Sequence, residues 1–277
     1  PKPQAVALDR PPGSDYPSDE RQVFMKKTIR TMLILAAAAA LVAWAAAGPA
    51  AEIKVKTVKV VSDNASNRAS SYELANKIIT TGGKIFLAWL DGDQHVRVDT
   101  YEPAADRWTG SADLGPADDN HGGPALTMDS RGHLYVVFGP HARNPLRFRR
   151  SQKPREAGAW DAVETIPGGN ATYPCAVFDD QDTMHVVYRC HVTADGPIVL
   201  RYIRRSSDGT WGRPLDLADA APGAGSHYRS YYASLAITKE GTIHLATHLF
   251  KEAAYAHFAY MCSRDGGKTW ENVAGER

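Results

Sequence analysis

The chain has little cysteine, no excess of either charge and, apart from one segment near its start, no long apolar run. Three cysteines (Cys175, Cys190, Cys262) in 277 residues exclude a disulfide-stapled miniprotein, and an odd number leaves at least one thiol unpaired. Pairing of Cys175 with Cys190 stays open, since both fall in neighbouring expected strands with no obvious register between them. A formal net charge of +1 gives no bias toward nucleic acid or other acidic partners, so overall charge does not reveal the ligand. The CxxC and HExxH spacings of familiar zinc sites are absent too, so no metal centre can be read from local spacing.

The exceptional apolar run is Met32 to Trp44, preceded by the basic segment Met25-Lys26-Lys27-Thr28-Ile29-Arg30 and followed by small residues from Ala45 to Ala51. Charged, then apolar, then small is the order of an export signal, expected here over residues 25–51 with cleavage between Ala47 and Ala51. A membrane anchor would need a longer apolar stretch. Residues 1–24, polar and rich in proline, aspartate and arginine, are expected to lie upstream of the natural start. Residues 52–277 are then the mature protein, secreted or periplasmic, monomeric, and free of the membrane once the signal is removed.

What the chain does contain is a repeated strand. After an alternating segment from Glu52 to Val61, apolar runs recur at Ile85–Leu90, Leu134–Phe138, Met184–Tyr188 and Ile243–Thr247, starting 49, 50 and 59 residues apart. Repeats of this length built only from short strands predict an all-β fold, a β-propeller of four-stranded antiparallel blades. Each unit continues through another strand and a polar corner to a tryptophan: Trp108, Trp160, Trp211 and Trp270. The last corner, Ser263-Arg264-Asp265-Gly266-Gly267-Lys268-Thr269-Trp270, has the Asp-box pattern S-x-D-G-x-x-T-W, and Ser206 to Trp211 is a shortened copy. There the aspartate is expected to accept backbone N–H bonds, the glycine to supply positive φ and the tryptophan to pack between sheets. Four units are visible, and a seven-bladed ring would need more blades than the 52–277 region holds. The region is therefore expected to be a partial propeller, truncated at its C-terminus.

Candidate chemistry concentrates between Asn120 and His141. Two apolar runs flank the polar turn Asp129-Ser130-Arg131-Gly132, which predicts a hairpin whose outer ends bring His121 and His141 to one sheet edge. Flanking small and rigid residues (Gly122, Gly123, Pro124, Gly139, Pro140) hold the backbone close there. Two imidazoles converging in this way suit acid/base work near neutral pH. Stacking the units on their common strand puts His141 level with His191 and Phe250, His121 with Ala171 and Ser230, and Tyr188 with Phe138 and Thr247. Arginines crowd the following strand, Arg143, Arg147, Arg149 and Arg150 in one unit and Arg201, Arg204 and Arg205 in the next. One of them could clamp a carboxylate.

Taken together, N-H-G-G-P at 120–124, G-P-H at 139–141, V-V-Y-R-C-H at 186–191 and Y-I-R-R-S-S-D-G at 202–209 resemble the ulvan lyases of the seven-bladed propeller type, within the BNR/Asp-box, sialidase-like group. The resemblance runs from about Lys84 to the end and implies β-elimination next to a uronic acid in an acidic polysaccharide. By that resemblance Arg204 would neutralise the uronate, while His121 and Tyr188 would exchange protons with the sugar and His141 would serve as the second imidazole. Asn120, Arg143 and His191 are expected to contact substrate. No cofactor is required; some relatives carry a metal, to which His248, His257 and Cys262 could contribute here. The alternatives are a sialidase-like hydrolase, which would call for an F/Y-R-I-P motif that this chain lacks, and a non-catalytic carbohydrate-binding propeller.

Overall fold

The repeated apolar runs are too short for helices and are bounded by Asp, Gly and Ser, so strands joined by tight turns are the conformation open to them. The computed structural model describes residues 59–70, 75–193, 198–218, 228–251 and 255–276. The expected export signal over 25–51 and most of the Glu52–Val61 segment lie outside them. Among the described residues all regular structure is β-strand.

The described residues form fifteen strands in four sheets. The first contains β1 (Ile78–Thr81), β2 (Lys84–Leu90), β3 (His95–Glu102) and β4 (Arg107–Pro116). The second contains β5 (Ala125–Met128), β6 (Leu134–Phe138), β7 (Arg147–Arg150) and β8 (Glu164–Thr165). In the third are β9 (Asn170–Phe178), β10 (Met184–His191), β11 (Ile198–Arg205) and β12 (Leu215–Ala218), and in the fourth β13 (Tyr228–Ile237), β14 (Ile243–Lys251) and β15 (Tyr255–Ser263). Strand order in every sheet follows the chain, and neighbours are antiparallel. Each recurring apolar run occupies the second strand of its sheet.

Three apolar layers separate the four sheets, which explains why these strands are apolar on both faces instead of alternating. Leu126, Leu134, Val136 and Phe138 join Phe86, Leu90 and Val98 in one layer. On the opposite face of the same sheet, Tyr135, Val137 and Phe148 meet Val186, Tyr188 and Cys190. The third layer contains Val187, Tyr202, Leu235 and Leu245. Trp160 and Trp211 each pack into the layer before their own sheet, and Trp270 meets Tyr202 edge-on at 5.1 Å.

The corners are held as their side chains dictate. Asp265 Oδ1 accepts the Lys268 and Thr269 amides at 3.0 and 2.9 Å, Gly266 and Gly267 have φ of 69° and 79°, and Ser263 Oγ accepts the Gly267 amide at 2.8 Å. In the hairpin turns, Asp129 accepts the His133 amide at 2.8 Å and Asp179 that of Thr183 at 2.7 Å. All three cysteines are free thiols. Cys175 and Cys190 face different layers of the third sheet, so no disulfide joins them.

This topology puts the starts of β5, β9 and β13 and the ends of β6, β10 and β14 on one edge of the sheets. The Asp-box corners and the turn at Asp179 lie at the other.

Candidate active site

The β5–β6 hairpin forms in the expected register, with Ala125 opposite Val137 and Met128 opposite Leu134. Its open end is closed tightly. The Gly139 amide donates to Gly122 O at 3.3 Å, and the Asp118 amide to Gly139 O at 2.7 Å. A Cβ on Gly122 would come within 2.6 Å of both Ala117 and Gly139 O, so only glycine lets these two segments meet. The loop after Gly139 is then tied to the third sheet, where the Ala142 amide donates to Ala171 O at 3.1 Å and Ala171 N to Asn144 O at 2.9 Å.

That scaffold stacks the two imidazoles. The rings of His121 and His141 lie 3.9 Å apart at 17°, and one carboxylate serves both. Asp119 Oδ1 is 2.9 Å from His121 Nδ1, and Oδ2 is 2.6 Å from His141 Nδ1. The His121 amide also donates to Asp119 Oδ1 at 2.7 Å. Burial lowers the pKa of His121; the Asp119 hydrogen bond opposes this, and the charges of His141 and Arg68 add to the depression. Burial pushes Asp119 up, but the His121 amide and the two imidazoles outweigh it and hold the carboxyl below its ordinary range. An ionised carboxylate only accepts hydrogen bonds, so each imidazole donates to it from Nδ1.

Next to His121 is Tyr173, with ring centroids 6.3 Å apart, and Tyr173 in turn lies 5.0 Å from Tyr232. Tyr173 has φ of 57°, an uncommon backbone state for a bulky residue. It lies in a bulge where the register jumps between Val187↔Cys175 and Arg189↔Thr172, and a bulge re-aims the side chain it carries. The same shift recurs in the fourth sheet between Ser230 and Ala233, placing Tyr232 there. Beneath Tyr173 lies Arg189, its guanidinium carbon 4.3 Å from the ring centroid and its Nη2 3.4 Å from Thr172 Oγ1. Beside this group opens a cleft of about 940 Å³ lined by Asp118, Asp119, His141, Arg143, Asn144, Asn170 and His191.

The structure therefore brings His121 and His141 together and puts Arg143 and His191 on the cleft wall. Asn120 is at the same edge, donating to Asn67 Oδ1 at 3.0 Å. Two expected residues are corrected. Tyr188 is 1% exposed in the layer between the second and third sheets and donates to Gly168 O at 3.2 Å. Burial holds its phenol well above the usual tyrosine range. Arg204 pairs in register with His185, six residues along β10 from His191, which places it about 20 Å from that end. Its Nη1 donates to Gly266 O at 2.7 Å, in the Asp-box corner.

Of the residues that could contribute to a metal site, His248 and Cys262 lie well apart along the β14–β15 pair. His244, not His248, is the partner of Cys262, so His248 is four positions away, about 13 Å along the strand. Among the described residues, Asp119, His121 and His141 have donor atoms within 4.8 Å of one another. Their N···O separations of 2.6 and 2.9 Å are those of hydrogen bonds, and we read them as a hydrogen-bonded triad. Sequence reasoning missed Asp119, Tyr173, Arg189 and Tyr232. Asp119, two residues before His121 in D-D-N-H, had a local signal as a side chain able to cap that turn.

The model of a family described as BNR repeat-containing matches residues 84–277. An ulvan lyase of Alteromonas sp. (strain LOR) is 24% identical over 163 residues, half of this chain and 33% of that protein's length. A solved polysaccharide lyase, a PL25 ulvan lyase bound to -[GlcA(1-4)Rha3S]-, superposes with a TM-score of 0.67 at 15% identity, covering 79% of this chain and 58% of its own. A second solved polysaccharide lyase gives 0.57 at 12% identity, covering 82% and 60%. At such identities these likenesses show the fold.

Proposed function

The chain belongs to the BNR repeat-containing family, and from that premise we propose that it is a polysaccharide lyase acting on a uronate-containing, ulvan-like polysaccharide by β-elimination. The observation that carries this reading is the stacked pair His121–His141 on Asp119, with Tyr173 against His121 and Arg189 under Tyr173. The likeness to ulvan lyases in sequence and fold supports the substrate class.

The chemistry needs three things from the protein. A proton on the carbon beside a carboxylate is barely acidic until that charge is compensated. In this reading Arg189, largely buried with its guanidinium under Tyr173, takes this role rather than Arg204. A base must then take the proton from carbon 5, and His121 Nε2 is suited to it because its depressed pKa keeps it neutral. As the double bond forms between carbons 4 and 5, the bond from carbon 4 to the glycosidic oxygen breaks. That oxygen needs a proton, which the Tyr173 hydroxyl supplies. His141 shares the carboxylate and lines the cleft together with Arg143 and His191, which in this reading bind the chain of sugars.

The four sheets, packed in chain order, support reading them as consecutive blades of a seven-bladed propeller. The order of charged, apolar and small residues over 25–51 supports action outside the cytoplasm. Mass spectrometry of products from ulvan tests the reaction type. Lyase products lack the water that hydrolysis adds; hydrated products, or binding without cleavage, would count against this reading.

A further inference from the structure

We propose that Asp119 is a positioning residue that fixes both active-site imidazoles in the Nδ1–H tautomer. It thereby presents two unprotonated Nε2 atoms from one stacked pair. The inference rests on the lyase reading for its catalytic consequence, but its structural half stands on geometry alone.

One carboxylate has two oxygens, and here they are divided. Oδ1 takes the His121 ring and backbone N–H groups, and Oδ2 takes the His141 ring. The neighbouring Asp118 is already committed, accepting from Asn144 Nδ2 at 2.9 Å and Arg147 Nη2 at 3.3 Å. Rings stacked at 3.9 Å cannot easily both carry charge, so neutral tautomers chosen by a shared acceptor are the stable arrangement. An asparagine at this position would have one accepting oxygen and one donating nitrogen. It could hold one imidazole as Nδ1–H but would press the other toward Nε2–H, blocking the nitrogen that the reaction uses.

The test combines a spectrum with kinetics. Two-bond ¹H–¹⁵N correlation spectra of the wild-type protein, assigned with His121→Gln and His141→Gln, should show the Nδ1–H tautomer for both rings. D119N should move at least one ring to Nε2–H and lower kcat on ulvan by about 10²- to 10⁴-fold, with KM changed by less than threefold. D119E, which restores a carboxylate, should recover part of the loss. Should D119N fail to fold by thermal melt, the wild-type and D119E spectra decide. A wild-type Nε2–H signal at either ring, or D119N at full kcat, overturns the proposal. Both Nδ1–H signals without any ulvan cleavage by the wild-type protein would uphold the placement and defeat the lyase reading instead.

Discussion

Two tyrosines with opposite surroundings make the sharpest contrast at the scale of single residues. Tyr173 touches His121, Tyr232 and Arg189 at the sheet edge, whereas Tyr188 lies between sheets with its hydroxyl on Gly168 O. Y173F should therefore lower kcat by about 10²- to 10⁴-fold, the usual contribution of a positioned proton donor. Y188F should leave kcat unchanged and cost about 1 kcal/mol of stability, the worth of one hydrogen bond, in a denaturant titration. His121 sets the expected pH dependence. Its pKa is lowered, first by burial, and a base is lost only when it gains a proton. The acid limb of kcat/KM should thus fall below the ordinary histidine value of about 6.5. An acid limb above that value would contradict the assignment of His121 as base.

At the scale of elements, what was legible in the sequence was what is local. The β5–β6 hairpin is encoded by two apolar runs around Asp129–Gly132, and its closure alone brings His121 to His141. The Asp-box corner is likewise a short motif in which the bonds made by Ser263 Oγ and the Asp265 carboxylate stay within the turn. Tyr173 and Arg189 were not legible because a bulge places them: the register shift in β9–β10 leaves no mark on the apolar pattern. Nor could the pattern show that Tyr188 faces inward, since β10 is buried on both faces and has no polar alternation to mark them. Arg204 was misplaced because its strand runs away from the edge that β10 approaches. The Asp-box also makes a testable contribution to stability. Burial pushes Asp265 up, but the Thr269 hydroxyl and amide and Ser263 outweigh it and bring the carboxyl to about 2. Its folded pKa is below the unfolded value of about 3.9, so the stabilisation is complete above that pH and fades as pH falls toward 2. D265N should flatten the acid side of a stability-versus-pH curve between those values. An unchanged slope would contradict the role given to this corner.

At the scale of the whole molecule, the sheets act as a repeated support and the loops at one edge carry the differences. Corresponding positions in successive sheets hold His121, Ala171 and Ser230, while the layers beneath stay apolar. A net charge of +1 gives no general attraction for an acidic polymer, so recognition must come from local groups at the cleft. The central claim is that this edge performs β-elimination with His121 as the base. It is tested most directly by mixing the purified protein with ulvan and following ultraviolet absorbance of the unsaturated uronyl product, beside the His121→Ala variant. The wild-type protein should generate the chromophore steadily, and the variant should lose at least about 10²-fold in rate. Cleavage without that absorbance, or a variant as fast as the wild type, would contradict it.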